Sequence, residues 1–356
     1  MKKLNVGVLF GGRSSEHEIS LISAANVISA LDKKKYNIYP IGISKEGKFF
    51  YFKGNEYILN SDNPKKVRLN DNGTPISFMF GGKKGLFGIT NHGKLKLDVV
   101  FPVLHGAFGE DGAIQGLFRL ADVAFVGTGV LGSAVCMDKE VAKKLLCDAG
   151  IRNADFLVFN KSNKVKPDFQ VISGKLGLPF YVKPANSGSS VGVHRIEKRK
   201  EFLGKVSDAF RFDNKIIFEK NISGKEIECS VLGNENVIAS LPGRVIPKDG
   251  FYSYQVKYLE KDAAQFEIPA KLNEKTIKMI QNIAVQAYKT LNCEGCARVD
   301  GFLTKKNEFI VNEINTMPGF TSISMYPKLW NVSGLSTSKL IDKLIKLAIE
   351  KYKKQK

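Results

Sequence analysis

The chain has 356 residues, 43% of them hydrophobic, and its 54 basic against 35 acidic side chains give a formal charge of +19. That length accommodates two or three packed domains, and no apolar run approaches the roughly 20 residues of a membrane span, so a globular, cytoplasmic protein without a membrane partner is expected. The charge invites a nucleic-acid reading, yet the lysines are spread along the chain and only the terminal KYKKQK is concentrated. No nucleic-acid partner is expected, and a basic surface favours small phosphate-bearing substrates instead.

Met1-Lys2-Lys3 runs straight into LNVGVLF without a cleavage site. Residues 4 to 10 suit a buried parallel strand, and the Gly11-Gly12-Arg13-Ser14-Ser15 turn leads into a helix from His17 to Leu31. The G-x-G-x-x-G spacing of a dinucleotide site is absent. A helix N-terminus that welcomes a carboxylate, with Glu16 beside it to hold an ammonium group, suits an amino acid.

A strand from Tyr39 to Ile43 precedes a Gly-, Asn- and Lys-rich stretch from Lys45 to about Lys96, whose apolar pieces read as small antiparallel strands without chemistry. A strand from Leu97 to Leu104, a His105-Gly106 turn, a helix from Ala113 to Leu120 and the strand VAFVG complete an open α/β unit. Its crevice is expected where the Gly11 and His105 turns converge. His105 is either a ligand-facing hydrogen-bonder or a structural turn residue.

A second unit begins near Gly127. Asp138 is placed to cap a helix carrying Val141, Leu145, Leu146 and Ala149, with Lys139 exposed in its first turn. A cation there is unfavourable unless it points at a phosphate. In LPFYVKPANSGSSVGVHRI a strand, not a helix, follows the loop, which excludes a Walker loop. The amides of Ser187, Gly188, Ser189 and Ser190 can still cradle phosphate, with Lys183 as counter-charge.

Glu219 and Glu226 flank a linker whose backbone can pair with an adenine edge. The long polar segment that follows reads as a lid, with Lys257 and Tyr258 its working residues. Amphipathic helices are expected from Glu274 to Thr290 and from Ser338 to Tyr352. Five scattered cysteines argue against a disulfide framework, and the lone C-x-x-C at Cys293 and Cys296 reads as a buried strand start.

Between those helices, ARVDGFLT and EFIVNEINT flank Lys305-Lys306-Asn307-Glu308, the pattern of a hairpin. With Lys306-Asn307 at the turn centre, Asp300 faces Glu313 and Arg298 faces Asn315, while Val299, Leu303, Ile310 and Ile314 fill the other face. Two opposed carboxylates need a cation between them, and an all-oxygen set of Asp, Glu and Asn suits Mg²⁺, which usually shares its ligands with substrate phosphates.

The ordered set GGRSSEHEIS, LHGAFGEDGAIQG, MDK, YVKPANSGSSVGV, FEKNISGKEIECSVLG, KY, ARVD and NEINTMPGFTSIS resembles the ATP-grasp ligases, specifically the D-alanine:D-alanine ligase family, across essentially the whole chain. The resemblance implies an α/β ATP-grasp fold: an N-terminal open parallel-sheet domain over 1–127, a central subdomain over 128–215 and a C-terminal subdomain over 216–356, the last two sandwiching ATP. It implies that Asp300, Glu313 and Asn315 bind two Mg²⁺ ions, with Mn²⁺ as a substitute. Lys139, Lys183 and the 187–190 loop would grip phosphates; Glu219, Lys220, Ile222 and Glu226 would seat adenine and ribose, and Lys257 and Asn312 would complete the nucleotide set.

By the same resemblance, Glu16 would receive the ammonium of the first D-alanine, Arg298 and the Gly319 amide would form the oxyanion site, and Ser324 would meet the second carboxylate. Tyr258 would bond through Ser189 to Glu16. Asn221 stands where many relatives carry a bulkier group, and the 45–96 insertion matches only longer members. The implied partners are ATP and two D-alanine molecules, in a homodimer. Ligases using D-lactate or D-serine as second substrate are the alternative, and a basic nucleic-acid-binding protein is a distant one.

Overall fold

The computed structural model describes residues 2–61, 63–78, 86–90, 93–247 and 264–356. The first of three large sheets holds β1 (Leu4–Gly11), β2 (Tyr36–Ile43), β3 (Phe49–Tyr51), β4 (Thr74–Pro75), β5 (Val99–Val103) and β6 (Ala124–Phe125), in the order β6-β5-β1-β2-β3-β4. The first four in that order pair parallel, and β3 and β4 extend the sheet antiparallel. A parallel sheet is covered on both faces. Accordingly Val6, Val8 and Phe10 pack with α1 (His17–Ala30), while Leu9 packs with α2 (Ala113–Leu120) on the opposite face.

Gly11 and Gly12 end β1 with φ of 89° and 97°, and a Cβ on Gly11 would lie 2.2 Å from the Ile43 carbonyl oxygen. That double left-handed turn aims the start of α1 across the carboxyl end of the sheet, as the sequence leads one to expect.

Next come α3 (Val130–Met137), which the sequence reading did not separate, and α4 (Lys139–Asp148). Asp138 caps α4 by accepting from the Glu140 and Val141 amides, a contact worth about 1 kcal/mol. α4 buries only part of its apolar set. Val141 and Leu145 are 37% and 39% exposed, whereas Ala142, Lys143 and Leu146 are buried.

The second sheet contains β7 (Phe156–Asn160), β8 (Phe180–Pro184), β9 (His194–Ile196) and β10 (Lys215–Lys220), antiparallel in the order β7-β10-β8-β9. A layer of α5 (Phe169–Leu176) and α6 (Arg199–Phe212) packs its Phe202, Val206 and Ala209 onto Phe180 and Phe218. Because β10 is central here, the expected division between residues 215 and 216 falls inside a strand of this sheet.

The third sheet runs β13-β12-β11-β14-β15, built from β11 (Gly224–Gly233), β12 (Gly243–Pro247), β13 (Ala264–Glu267), β14 (Gly295–Thr304) and β15 (Phe309–Asn315). One face packs on α7 (Glu274–Thr290). The chain closes with α8 (Met325–Val332) and α9 (Thr337–Lys354), whose Leu340, Ile341, Leu344 and Ile345 join Val6 and Val8 in one core. This shared core fixes the end of the β14–β15 hairpin relative to the first sheet.

The hairpin keeps the expected pairs Arg298–Asn315, Val299–Ile314 and Asp300–Glu313 by a different route. Its turn has three residues, not two: the Thr304 amide donates to the Glu308 carbonyl, and Asn307 adopts φ 58°. A bulge at Asn312 then restores the register, since Gly301 pairs with Val311. The correction turns Ile310 around. It lies opposite Phe302, which lines the cleft, while Phe309 and Val311 join Val299, Leu303 and Ile314 in the core.

Among the described residues no helix is long and apolar enough to cross a membrane. All five cysteines are free, and Cys293 and Cys296 are buried at the start of β14.

Candidate active site

The three sheets open onto a cleft of about 440 Å³ lined by residues of all three. At one end, α4 and the Gly/Ser-rich loop meet. Lys139 is not exposed as expected: its ammonium donates to the Ser187 carbonyl at 2.6 Å, and burial pulls its pKa down. Ser187, Gly188, Ser189 and Ser190 all line the cleft, and Ser189 and Ser190 adopt φ of 52° and 57°. Two successive non-glycine residues in the left-handed region are strained, a conformation found where loops are shaped for a ligand.

Lys183 projects from β8 on the face that carries Glu219 of β10, because Tyr181 pairs with Glu219 and Lys183 is its diagonal neighbour. Its ammonium donates to Glu219 at 2.7 Å and to the Asn312 side-chain oxygen at 3.3 Å, so the bulged residue is used. Glu219 holds a second cation that sequence reasoning missed: Lys143, 1% exposed, at 2.9 Å. Burial works to raise the Glu219 pKa, but Lys143 and then Lys183 hold it down at about 2. Burial likewise opposes the Lys183 ammonium, and Glu219 outweighs it, raising the lysine's pKa. The signal for Lys143 was its position four residues after Lys139, one helical turn along.

Across the cleft, Arg298 donates to both oxygens of Asp300 at 2.7 and 2.6 Å and lies 2.9 Å from Glu228, its directly opposed neighbour on β11 being Ser230. Asn315 donates to the same Asp300 at 2.8 Å. Arg298, Asp300 and Glu228 are all under 8% exposed. Glu228 was also missed; it alternates with Glu226 and so shares its face. Glu313 lines the cleft opposite Asp300 in register, which leaves an all-oxygen set of two carboxylates and one amide.

The other end of the cleft lies at the β1–α1 turn. Glu16 is 7% exposed, and its carboxylate approaches both the His105-Gly106 turn and Gly188: a Cβ on either glycine would sit 3.0 or 3.5 Å from its oxygen. His105 is pinned, with Nδ1 3.0 Å from the Met317 carbonyl and Nε2 3.3 Å from Ser23. It therefore ties the first sheet to the loop after β15 while also lining the cleft.

Glu110, another residue the sequence reading passed over, accepts from the Gly106 and Met317 amides at 2.7 and 3.1 Å. Burial first, and the Glu16 carboxylate second, push its pKa from the ordinary 4.5 up to about 8. Between those values the folded protein retains a proton that the unfolded chain has released, so this group weakens the fold as pH rises from about 4.5 to 8. Glu110→Gln is expected to flatten that part of the stability profile, raising the Tm at pH about 8 relative to wild type more than at pH about 5. A parallel profile in the variant would show that Glu110 ionises normally.

Lys220, Ile222 and Glu226 line the cleft around the β10–β11 linker, and Gly319 lines it beyond Met317. The Lys220 ammonium reaches Asp155 at 3.2 Å on the outer side. Ser324 stands behind Gly319 as the residue preceding α8, its hydroxyl 2.8 Å from that of Thr321, and does not line the cleft. Lys257 and Tyr258 lie outside the described residues.

An open parallel α/β unit followed by two antiparallel sheets that share a lysine-, serine- and carboxylate-lined cleft defines the ATP-grasp class. Comparison with known proteins narrows this. The family models for the D-ala D-ala ligase N-terminus and C-terminus match residues 5–128 and 145–346. The D-alanine--D-alanine ligase of Shouchella clausii is 50% identical, covering 100% of this chain and 97% of its own. Among solved structures, the VanG D-Ala:D-Ser ligase from Enterococcus faecalis is 35% identical with a TM-score of 0.85, over 98% of this chain and 100% of that one. The Bacillus anthracis D-alanine--D-alanine ligase complexed with ATP is 27% identical with a TM-score of 0.74, over 99% and 100%. This chain belongs to the D-alanine--D-alanine ligase family.

Proposed function

We propose that this enzyme joins two D-alanine molecules with ATP, giving D-alanyl-D-alanine, ADP and phosphate for peptidoglycan precursors. The observation that carries the reading is one cleft holding both a buried carboxylate suited to an ammonium, Glu16, and a phosphate-suited end made by Lys139, Lys183 and the 187–190 loop. The carboxylate of the first D-alanine attacks the γ-phosphorus of ATP, breaking its bond to the β-phosphate oxygen, releasing ADP and giving an acyl phosphate. The amine of the second then displaces phosphate through a tetrahedral intermediate.

Stabilising charge is what such steps need most. Lys139 and Lys183 hold the phosphates, Glu16 orients the first ammonium, and Arg298 with the Gly319 amide faces the developing oxyanion. Glu219, Lys220, Ile222 and Glu226 seat the nucleoside.

The donor set of Asp300, Glu313 and Asn315 fits hard divalent cations, two Mg²⁺ or Mn²⁺ in this reading. Such ions, when bound, supply positive charge to the transferring phosphoryl group.

We place the units at 1–127, 128–220 and 221–356, moving the second boundary past β10 because that strand belongs to the second sheet. A cytoplasmic homodimer is part of the same proposal. Leu120 and Leu131, 72% and 62% exposed on the adjoining α2 and α3, are apolar surface available for it.

The test is phosphate release from ATP with D-alanine, L-alanine, D-serine and D-lactate in parallel. D-alanine alone is expected to sustain turnover and yield the dipeptide. A neutral side chain at position 258, where this sequence has Tyr258, favours an incoming amine, whereas a cationic one would favour a hydroxy acid. Tyr258→Phe is expected to lower kcat clearly. Predominant ester from D-alanine plus D-lactate at pH about 6, or D-serine incorporated in preference to a second D-alanine, would overturn the assignment in favour of the related ligases.

A further inference from the structure

We infer that Lys143 is a positioning residue for nucleotide phosphate: it neutralises Glu219 so that Lys183 keeps its positive charge for the phosphates. This rests on the nucleotide reading of the cleft. Lys143 follows Lys139 by one turn of α4, and the two side chains divide the work. Lys139 reaches the Ser187 carbonyl, whereas Lys143 is buried and reaches the carboxylate Oε2 of Glu219 at 2.9 Å. Glu219 gives its other oxygen, Oε1, to Lys183 at 2.7 Å.

The charges decide the role. A buried carboxylate bonded only to Lys183 would form a neutral pair, and a neutral pair attracts phosphate weakly. With Lys143 present, the Glu219–Lys143–Lys183 group carries one net positive charge. Lys143 is held there by more than the ion pair: its ammonium lies 5.8 Å from the centre of the Phe156 ring, and Asn153 donates to its carbonyl at 3.1 Å. Phe156 is itself the directly paired neighbour of Glu219 on β7. The lysine does not line the cleft, so its effect on a ligand passes through Glu219.

The reading makes the effect scale with phosphate charge. Lys143→Met, which keeps most of the stem packing, is expected to weaken ATP binding about tenfold, as loss of one partly screened charge near the triphosphate would. Adenosine binding should change less than twofold, and KM for D-alanine should change little. Lys143→Met combined with Glu219→Gln restores the net charge of one on Lys183, and removing both halves of a buried pair is tolerated better than removing one. The double variant is therefore expected to regain the wild-type preference for ATP over adenosine.

Calorimetric titration of each protein with Mg-ATP and with adenosine, beside a thermal melt, measures this. Equal loss for both ligands, an unchanged ATP affinity, or a double variant that prefers ATP no more than Lys143→Met does would overturn the proposal. If the single variant does not fold, a double variant that prefers ATP over adenosine less than the wild type does still overturns the proposal. Failure of the wild type to bind ATP would instead remove the nucleotide reading itself.

Discussion

Replacing Glu313 with glutamine is expected to reduce Mg²⁺-dependent ADP formation by about 10²- to 10³-fold, the scale of losing one preorganised electrostatic contact at a reacting group. Glu313 sits across the hairpin from Asp300 and contributes one of the two carboxylates on the cleft face. A glutamine keeps its shape but would offer a neutral oxygen to the proposed metal. Asp300→Asn should lose as much activity and also melt earlier, because Asp300 accepts both nitrogens of Arg298 and the Asn315 amide. Paired measurements of turnover against Mg²⁺ concentration and of Tm separate the two carboxylates. Near-normal turnover by folded Glu313→Gln protein would place the metal elsewhere.

Arg298→Lys is expected to lower kcat by a similar factor although the charge is kept. The guanidinium, 7% exposed, spans Glu228 at 2.9 Å and both Asp300 oxygens at 2.7 and 2.6 Å. A planar fork can bridge two carboxylates and still present a fixed edge to an oxyanion; a single ammonium cannot. The same change leaves two buried carboxylates poorly paired. Breaking such a pair outright costs about 3–5 kcal/mol, an upper bound here because the lysine retains its charge, so a lowered Tm should accompany the loss. Steady-state kcat with saturating D-alanine and a thermal melt check both. If kcat is near normal while the Tm falls, Arg298 serves only to hold Glu228 and Asp300.

The strands and helices that were legible in the sequence are those with strong periodicity or caps. The apolar run of β1, the Asp138 cap, and the 274–290 helix pattern are local properties, written where they act. The metal-suited square was also legible, although by two errors that cancelled. A two-residue turn and an unbroken ladder place Asp300 opposite Glu313, and so do a three-residue turn and a bulge. Only the side chains between the turn and the bulge reveal the difference: Ile310 faces the cleft side and Asn312 reaches Lys183.

What the sequence by itself determined was the inventory: which segments form elements, and that lysines, small loop residues and acids lie in an order matching one family. What only the tertiary structure decided was the electrostatic partnership among them. Lys143, Glu219 and Lys183 come from α4, β10 and β8, and Glu228 meets Arg298 across β11 and β14. The physical reason is that a helix or strand pattern specifies which way a side chain points on its own element. Whether a buried lysine meets a carboxylate or a phosphate depends on packing between elements far apart in the chain, where desolvation makes an unpaired charge too costly to leave.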